Sequence, residues 1–187
     1  MAKALEEMSR EELWQLFPIA LRPPRAQWAK WYQEEEAALW KGLAELPIHR
    51  VSHVGSTAIG NIWAKDIVDI LLETPGPAFT FEGPLKALGY RLMAKGEGRS
   101  SFNKGYTPQG FDERVYHLHL RAPGDNDELY FRDYLRERPA LAKEYEALKL
   151  GLWKRFEHDR DGYTAAKTEF VERATQAARA LYGARYR

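Results

Sequence analysis

The chain has 187 residues, and 28 Lys and Arg against 27 Asp and Glu give a formal net charge of +1, so no global field draws it to nucleic acid or an anionic membrane. It has no cysteine, which excludes disulfides and thiolate metal sites and suits a reducing, cytoplasmic setting. Hydrophobic residues at 44% and charged residues at 29% are the balance of a soluble globular chain, long enough for one domain with a real core. Residues 1–21 are acidic and lack a basic n-region and a cleavage site, so no signal peptide is expected. No apolar run is long enough to span a bilayer. The many aromatic residues (6 Trp, 10 Tyr and 8 Phe) are assigned mainly to core packing.

In chain order, the first helix is expected after Pro23-Pro24. Trp28, Trp31, Leu39, Leu43 and Leu46 recur near a helical period, Glu34-Glu35-Glu36 faces water, and Pro47 ends the helix. Ile48 to Val54 alternates and reads as a strand, followed by a Gly55-Ser56 turn and a short helix. Asp66 to Leu72 is almost continuously apolar, the pattern of a central strand. Thr74 to Pro77 is a loop, and Pro84 to Leu88 a helix ended by Gly89. Strands follow around Tyr90 to Met93 and from Val115 to Leu120. Ala122 to Asp127 is turn-rich, and from Leu129 onward the chain reads as helical. Tyr134, Leu141, Tyr145, Leu148, Leu152 and Phe156 mark one apolar stripe, interrupted at Pro139. Phe170, Ala174, Ala177 and Leu181 mark another. We therefore expect one unit over 1–187, with an α/β core at about 25–128 and C-terminal helices at about 129–187. The segment 131–187 holds 13 Lys and Arg against 9 Asp and Glu, so the basic excess lies in the helices.

Asp69 lies in a strand otherwise built of Ile, Val and Leu. An ionised carboxylate there must be paired, hold a metal or reach a cleft, which makes Asp69 the best single candidate. The alternative is a structural Asp bonded to backbone or to Lys65. Asp66 is three residues away and points to the other face of the strand. His117 and His119 are two apart on a strand and share a face. The choice there is between hydrogen-bonded histidines and, with Asp69, a facial metal triad. Gly55 lets backbone approach a phosphate, and Ser56 offers a hydroxyl or caps the short helix. Arg132 and Arg136 share a helical face and suit an anion clamp, or a solvated ion-pair face with Asp133 and Glu137. Tyr145/Lys149 and Tyr163/Lys167 repeat a four-residue spacing in which each Lys reaches a phosphate or snorkels over its Tyr. His53, before the turn, lines the cleft or closes the strand.

Four segments taken together resemble the GrpB family of the nucleotidyltransferase superfamily. They are residues 53–70 (HVGSTAIGNIWAKDIVDI), 117–120 (HLHL), 131–139 (FRDYLRERP), and the pair 145–149 (YEALK) and 163–170 (YTAAKTEF). Their order and spacing agree from about Trp28 to Phe170. The resemblance implies an α+β, polymerase-β-like nucleotidyltransferase fold with a mixed sheet, flanking helices and a helical C-terminal part. It implies a phosphate site at His53, Gly55, Ser56, Thr57, Lys65, Arg132, Arg136, Lys149 and Lys167. It also implies Mg²⁺ on Asp69, with another divalent transition metal on Asp69, His117 and His119 as the alternative. The reaction implied is transfer of a nucleotidyl group from an NTP to a small acceptor. Similar domains occur fused to dephospho-CoA kinase. The rival, favoured by an incomplete carboxylate set, is a non-catalytic module that binds a nucleotide, a CoA-like molecule or another protein, and a His/Asp metal enzyme is a third reading. The chain departs from the family at Ala58-Ile59-Gly60-Asn61, where Ala-Val-Pro-Gly is usual, and at Asp66, where Pro is usual. Active nucleotidyltransferases carry acid, apolar, acid on one strand face. Here Ile67 and Leu71 flank Asp69 at those positions, so the metal pair is incomplete. The expected partner is a small molecule or nucleotide. Without a basic stripe or nucleic-acid motif, nucleic acid is an unlikely partner on this reading.

Overall fold

The computed structural model describes residues 3–187. Its elements are α1 (Arg10–Leu16), α2 (Gln27–Gly42), β1 (Arg50–Val54), α3 (Gly55–Ile59), β2 (Ile67–Glu73) and α4 (Phe79–Ala87). There follow β3 (Arg91–Gly96), β4 (Arg99–Thr107), β5 (Gly110–Arg121), α5 (Asp127–Arg136), α6 (Pro139–Trp153), α7 (Arg160–Ala165) and α8 (Thr168–Tyr182). The five strands form one mixed sheet in the order β1-β2-β5-β4-β3. Only β2 and β5 run parallel, with Asp69 opposite His117. The chain is thus α+β with a nucleotidyltransferase-like mixed sheet and a helical C-terminal part, as the sequence predicts. No helix among the described residues is long and apolar enough to cross a membrane.

Alternation along the strands decides what each sheet face does. Val68, Ile70 and Leu72 of β2 join Phe102 of β4 and Tyr116, Leu118 and Leu120 of β5 in the main core. Trp28, Trp31 and Leu39 of α2, with Phe81 and Leu85 of α4, close that face. Each such side chain contributes roughly 1.5–3 kcal/mol on burial. The opposite face carries Asp69, His117 and His119. Above it a second apolar cluster joins Ile59 of α3 to Phe131 and Leu135 of α5, Tyr145 of α6 and Ala174 of α8.

Several elements differ from the sequence expectation. A helix, α1, precedes the first expected one, with Ser9 as its cap: the Ser9 hydroxyl accepts from the Glu12 N–H, and the Glu12 carboxylate accepts from the Ser9 N–H. Strand β4 was not anticipated, because Arg99–Thr107 is largely polar and only Ser100 and Phe102 in it are buried. Helix α4 begins at Phe79 and carries Pro84 within it. Pro139 opens α6 at a first-turn position, where its missing N–H costs nothing. Glu35, expected to face water, is 6% exposed and receives two hydrogen bonds from Lys104. Leu181, expected on an apolar stripe, is 56% exposed.

Candidate functional site

At the C-terminal part of the sheet's open face, Asp69 of β2 lies between two imidazoles. His117 Nδ1 and His119 Nε2 each stand 3.4 Å from Asp69 Oδ1. Burial alone would raise the Asp69 carboxyl, but the hydrogen bonds to His117 and His119 outweigh it and hold the group well below the usual carboxylate range. Burial pushes the His117 imidazole down, against the pull of Asp69, so its neutral form is favoured. A neutral ring bonded to Asp69 through Nδ1–H has Nε2 free to accept. The Tyr106 hydroxyl lies 2.8 Å from that Nε2, and Arg160 donates to the Tyr106 oxygen at 3.1 Å. Arg160, Tyr106, His117 and Asp69 form one chain of donors and acceptors.

The Gly55-Ser56 turn sits against this chain. Gly55 has φ +72°, and any Cβ at this position would run into the Asp69 carboxylate. Ser56 and Tyr145 both line the cavity, and burial pushes the Tyr145 hydroxyl up to about 12. Helix α3 has only 5 residues, too few to aim a helix dipole at a ligand, so the turn acts through its backbone and Ser56 alone. Gly60 (φ +77°) and Asn61 (φ +54°) end α3 in a left-handed conformation, which no proline at position 60 could adopt.

The turn, Asp69 and the histidines open on a cavity of about 360 Å³ that also contains Lys65, Lys149, Arg160 and Lys167. Four cations therefore face one carboxylate. Lys149 of α6 is 2% exposed and donates to the Trp63 carbonyl. Its Nζ lies 4.9 Å from the Tyr145 ring centroid, and Lys167 Nζ lies 4.3 Å from that of Tyr163. The two Tyr/Lys spacings thus do place each Lys over its Tyr, but inside the cavity. None of Lys65, Lys149 and Lys167 forms an ion pair among the described residues. Burial lowers Lys65 and Lys149 to about 7 and Lys167 to about 8, with Arg160 and Lys167 adding repulsion at Lys65. Tyr163, 1% exposed, also lines the cavity, and its hydroxyl has no hydrogen-bond partner.

Not every expected residue belongs here. Arg132 and Arg136 stand outside the cavity. Arg132 bonds Asp133 and the His53 carbonyl, and Arg136 bonds the Ala58 carbonyl, so both tie α5 to the β1–α3 turn. His53, 9% exposed, also lies behind the turn: its Nε2 is 2.8 Å from Thr57 Oγ1 and its ring stacks on Tyr32 at 4.7 Å. Thr57 lines the cavity, but its hydroxyl is used on His53 and on the Ile67 carbonyl, 3.4 Å away. Asp66, expected to open the strand, lies just ahead of β2 and outside the cavity, and holds Arg25 at 2.8 Å and the Trp28 indole N–H at 2.9 Å. Among the described residues, no group of three or more His, Asp or Glu is arranged to hold a metal ion. Asp69, His117 and His119 meet as a hydrogen-bonded set instead, and the sole carboxylate of the cavity is already bonded to two imidazoles. With one carboxylate, this donor set lacks the bridging acids of a two-metal arrangement. Tyr163 entered the sequence reading only as the partner of Lys167, while Arg160 and Tyr106 escaped it. So did Ile19 and Leu21, which reach the cavity because Arg22 pairs with Ala64 beside Lys65.

The comparisons with known proteins agree with this geometry. The family described as GrpB protein matches residues 18–177. A UPF0157 protein of Pseudomonas aeruginosa is 37% identical over 83% of this chain and 65% of its own length. The UPF0157 protein YqkA of Bacillus subtilis is 34% identical over 82% of the chain and 45% of its own, so the chain spans only part of these curated relatives. The crystal structure of GrpB from Enterococcus faecalis superposes with a TM-score of 0.76 at 27% identity, covering 87% of this chain and 99% of that one. Cid1 in complex with its short product ApU superposes with a TM-score of 0.50 at 11% identity, over 68% of this chain and 40% of that one, a likeness of fold alone. With the Gly-Ser turn, the Asp69 strand and the histidine strand in the one arrangement that the motifs imply, the chain belongs to the GrpB family.

Proposed function

We propose that the cavity binds a phosphate-bearing small molecule, of nucleotide or CoA-like type, and holds it through lysines with no bridging metal. The observation that carries this reading is the charge imbalance: Lys65, Lys149 and Lys167 converge without ion-pair partners on a space holding one carboxylate. Charged groups gathered at a cost in desolvation favour a ligand of opposite charge. In nucleotidyl transfer, metal ions bridge carboxylates and phosphates. Here Ile67 and Leu71 occupy the strand positions of the missing acids, so the phosphates must be neutralised by the lysines themselves. The Ser56 hydroxyl, the unpartnered Tyr163 hydroxyl and the Gly55-Ser56 backbone supply further donors. The dephospho-CoA kinase of Mycolicibacterium paratuberculosis, 29% identical over 86% of this chain and 46% of its own length, adds support for a CoA-like ligand. Nucleotidyl transfer to a small acceptor requires carboxylates that this cavity does not have.

Calorimetric titration with pyrophosphate and ATP, in EDTA and then with Mg²⁺, tests the reading. We expect binding in EDTA that Mg²⁺ does not strengthen. Binding of ATP only in the presence of Mg²⁺ would favour the transfer reaction instead, and a thermal shift with Ni²⁺, Mn²⁺ or Zn²⁺ alone would favour a metal enzyme.

A further inference from the structure

Beside the lysine cavity lies a second one, of about 460 Å³, framed by α1, β3 and β4. Its chemistry is different. Trp14 and Phe17 form one wall and Leu92 and Met93 another. Leu92 and Met93 are 38% and 55% exposed, a high apolar exposure for neighbours on one strand. Tyr106 stands between the two spaces, since it lines the groove while bonding His117 in the lysine cavity. Arg160 lines both. It is held at the passage by its hydrogen bond to Tyr106 and by the rings of Tyr106 and Phe111, 5.6 and 5.8 Å away. The groove also contains the side chain of Asn103.

We propose that this groove is a second subsite for the same ligand, and that it takes a planar heterocyclic base whose phosphates lie in the lysine cavity. The inference rests on the phosphate reading above. Trp14, half-buried at the groove wall, offers an aromatic face on which a base stacks, and Phe17 and Tyr106, packed on each other at 4.8 Å, form the aromatic floor beside it. The Asn103 amide presents donors and an acceptor in one plane, matched to the edge of a base and not to an aliphatic tail. Arg160 lines both spaces, so one guanidinium can face the phosphates on one side and the sugar or base on the other. An elongated ligand, charged at one end and planar at the other, answers both spaces at once.

The test compares tripolyphosphate, ATP and farnesyl diphosphate by calorimetry in EDTA, on the full chain and on the Trp14→Ala and Met93→Ser variants. We expect ATP to bind about 10-fold or more tightly than tripolyphosphate, and each variant to remove most of that gain while leaving tripolyphosphate affinity unchanged. Met93 is more than half exposed, so its variant keeps the test valid if Trp14→Ala fails to fold. Equal affinities for ATP and tripolyphosphate, or equal losses for both in the variants, would overturn the subsite and leave the phosphate reading standing. Tighter binding of farnesyl diphosphate than of ATP would overturn the planar base in favour of an aliphatic group. Failure of tripolyphosphate and ATP alike would remove the phosphate reading, and the subsite with it.

Discussion

Along β2, Val68, Ile70 and Leu72 point into the main core, and Ile67, Asp69 and Leu71 point the other way. The first set meets Trp28, Phe81 and Leu85 in dry packing. The second set leads to a cavity where a carboxylate, two imidazoles and four cations are gathered. One backbone serves both faces, yet they obey different rules. On the core face, every group present stabilises the fold. On the cavity face, the lysines burden the fold: their charges sit in a desolvated space where Asp69 and Glu146 offset them only in part. The comparison teaches where selection for stability stops, and it can be broken or sharpened by experiment.

The largest effect belongs to the core face. Phe81→Ala should cost about 3–5 kcal/mol of stability, read from denaturant melts, and leave the pyrophosphate affinity of the folded protein unchanged. On the cavity face, Lys167→Met should do the reverse. Pyrophosphate affinity should fall roughly 10- to 100-fold, with melting temperature unchanged or raised, because a buried cation without a partner has been removed. If Lys167→Met lowers stability and spares affinity, the division between the two faces fails. Arg132→Ala should cost about 1–2 kcal/mol of stability through its bonds to Asp133 and the His53 carbonyl, with no change in affinity. A loss of affinity there would return Arg132 to the site.

A pH dependence separates stability from affinity. Lys65, Lys149 and Lys167 fall from 10.5 in the unfolded chain to about 7, 7 and 8 in the folded one. Between these values the unfolded chain holds protons that the folded chain has released, so stability from these groups rises as pH rises from 7 toward 10.5. Phosphate affinity should move oppositely and weaken as pH rises through 7 to 8, because the lysines lose charge. His53, packed beside Tyr32, falls from 6.5 to about 4 through burial, so its contribution is complete above pH 6.5 and declines as pH falls toward 4. Melts and titrations from pH 5 to 9 would check both slopes, and parallel curves for stability and affinity would contradict the assignment.

The sequence made some of this visible. Strand β2 was legible because a nearly unbroken apolar run has few other uses, and Asp69 stood out against it. His117 and His119 followed from strand alternation and the motif order. Arg132 and Arg136 were misplaced because spacing shows that two residues share a helix face and not which neighbour that face meets. Glu35 was misread for the same reason, since its partner Lys104 lies on a strand that the polar run Arg99–Thr107 concealed. Helix α1 did carry a readable signal, the Ser9…Glu12 capping pair. Arg160 and Tyr106 had none: each enters the site through tertiary contacts alone.

The parallel pairing of β2 with β5 also bears on how the molecule is assembled. Asp69 and His119 meet across 50 residues of chain, and Lys149 reaches Trp63 across 86. Loop closure over such spans is paid before any contact repays it, so these pairings are slow steps compared with the formation of the β3–β4 hairpin. The cavity lining comes from α3, β2, β5, α5, α6 and α7 together, with Lys167 just ahead of α8, so no contiguous fragment contains it. A complete cavity therefore marks a chain that has closed these long loops.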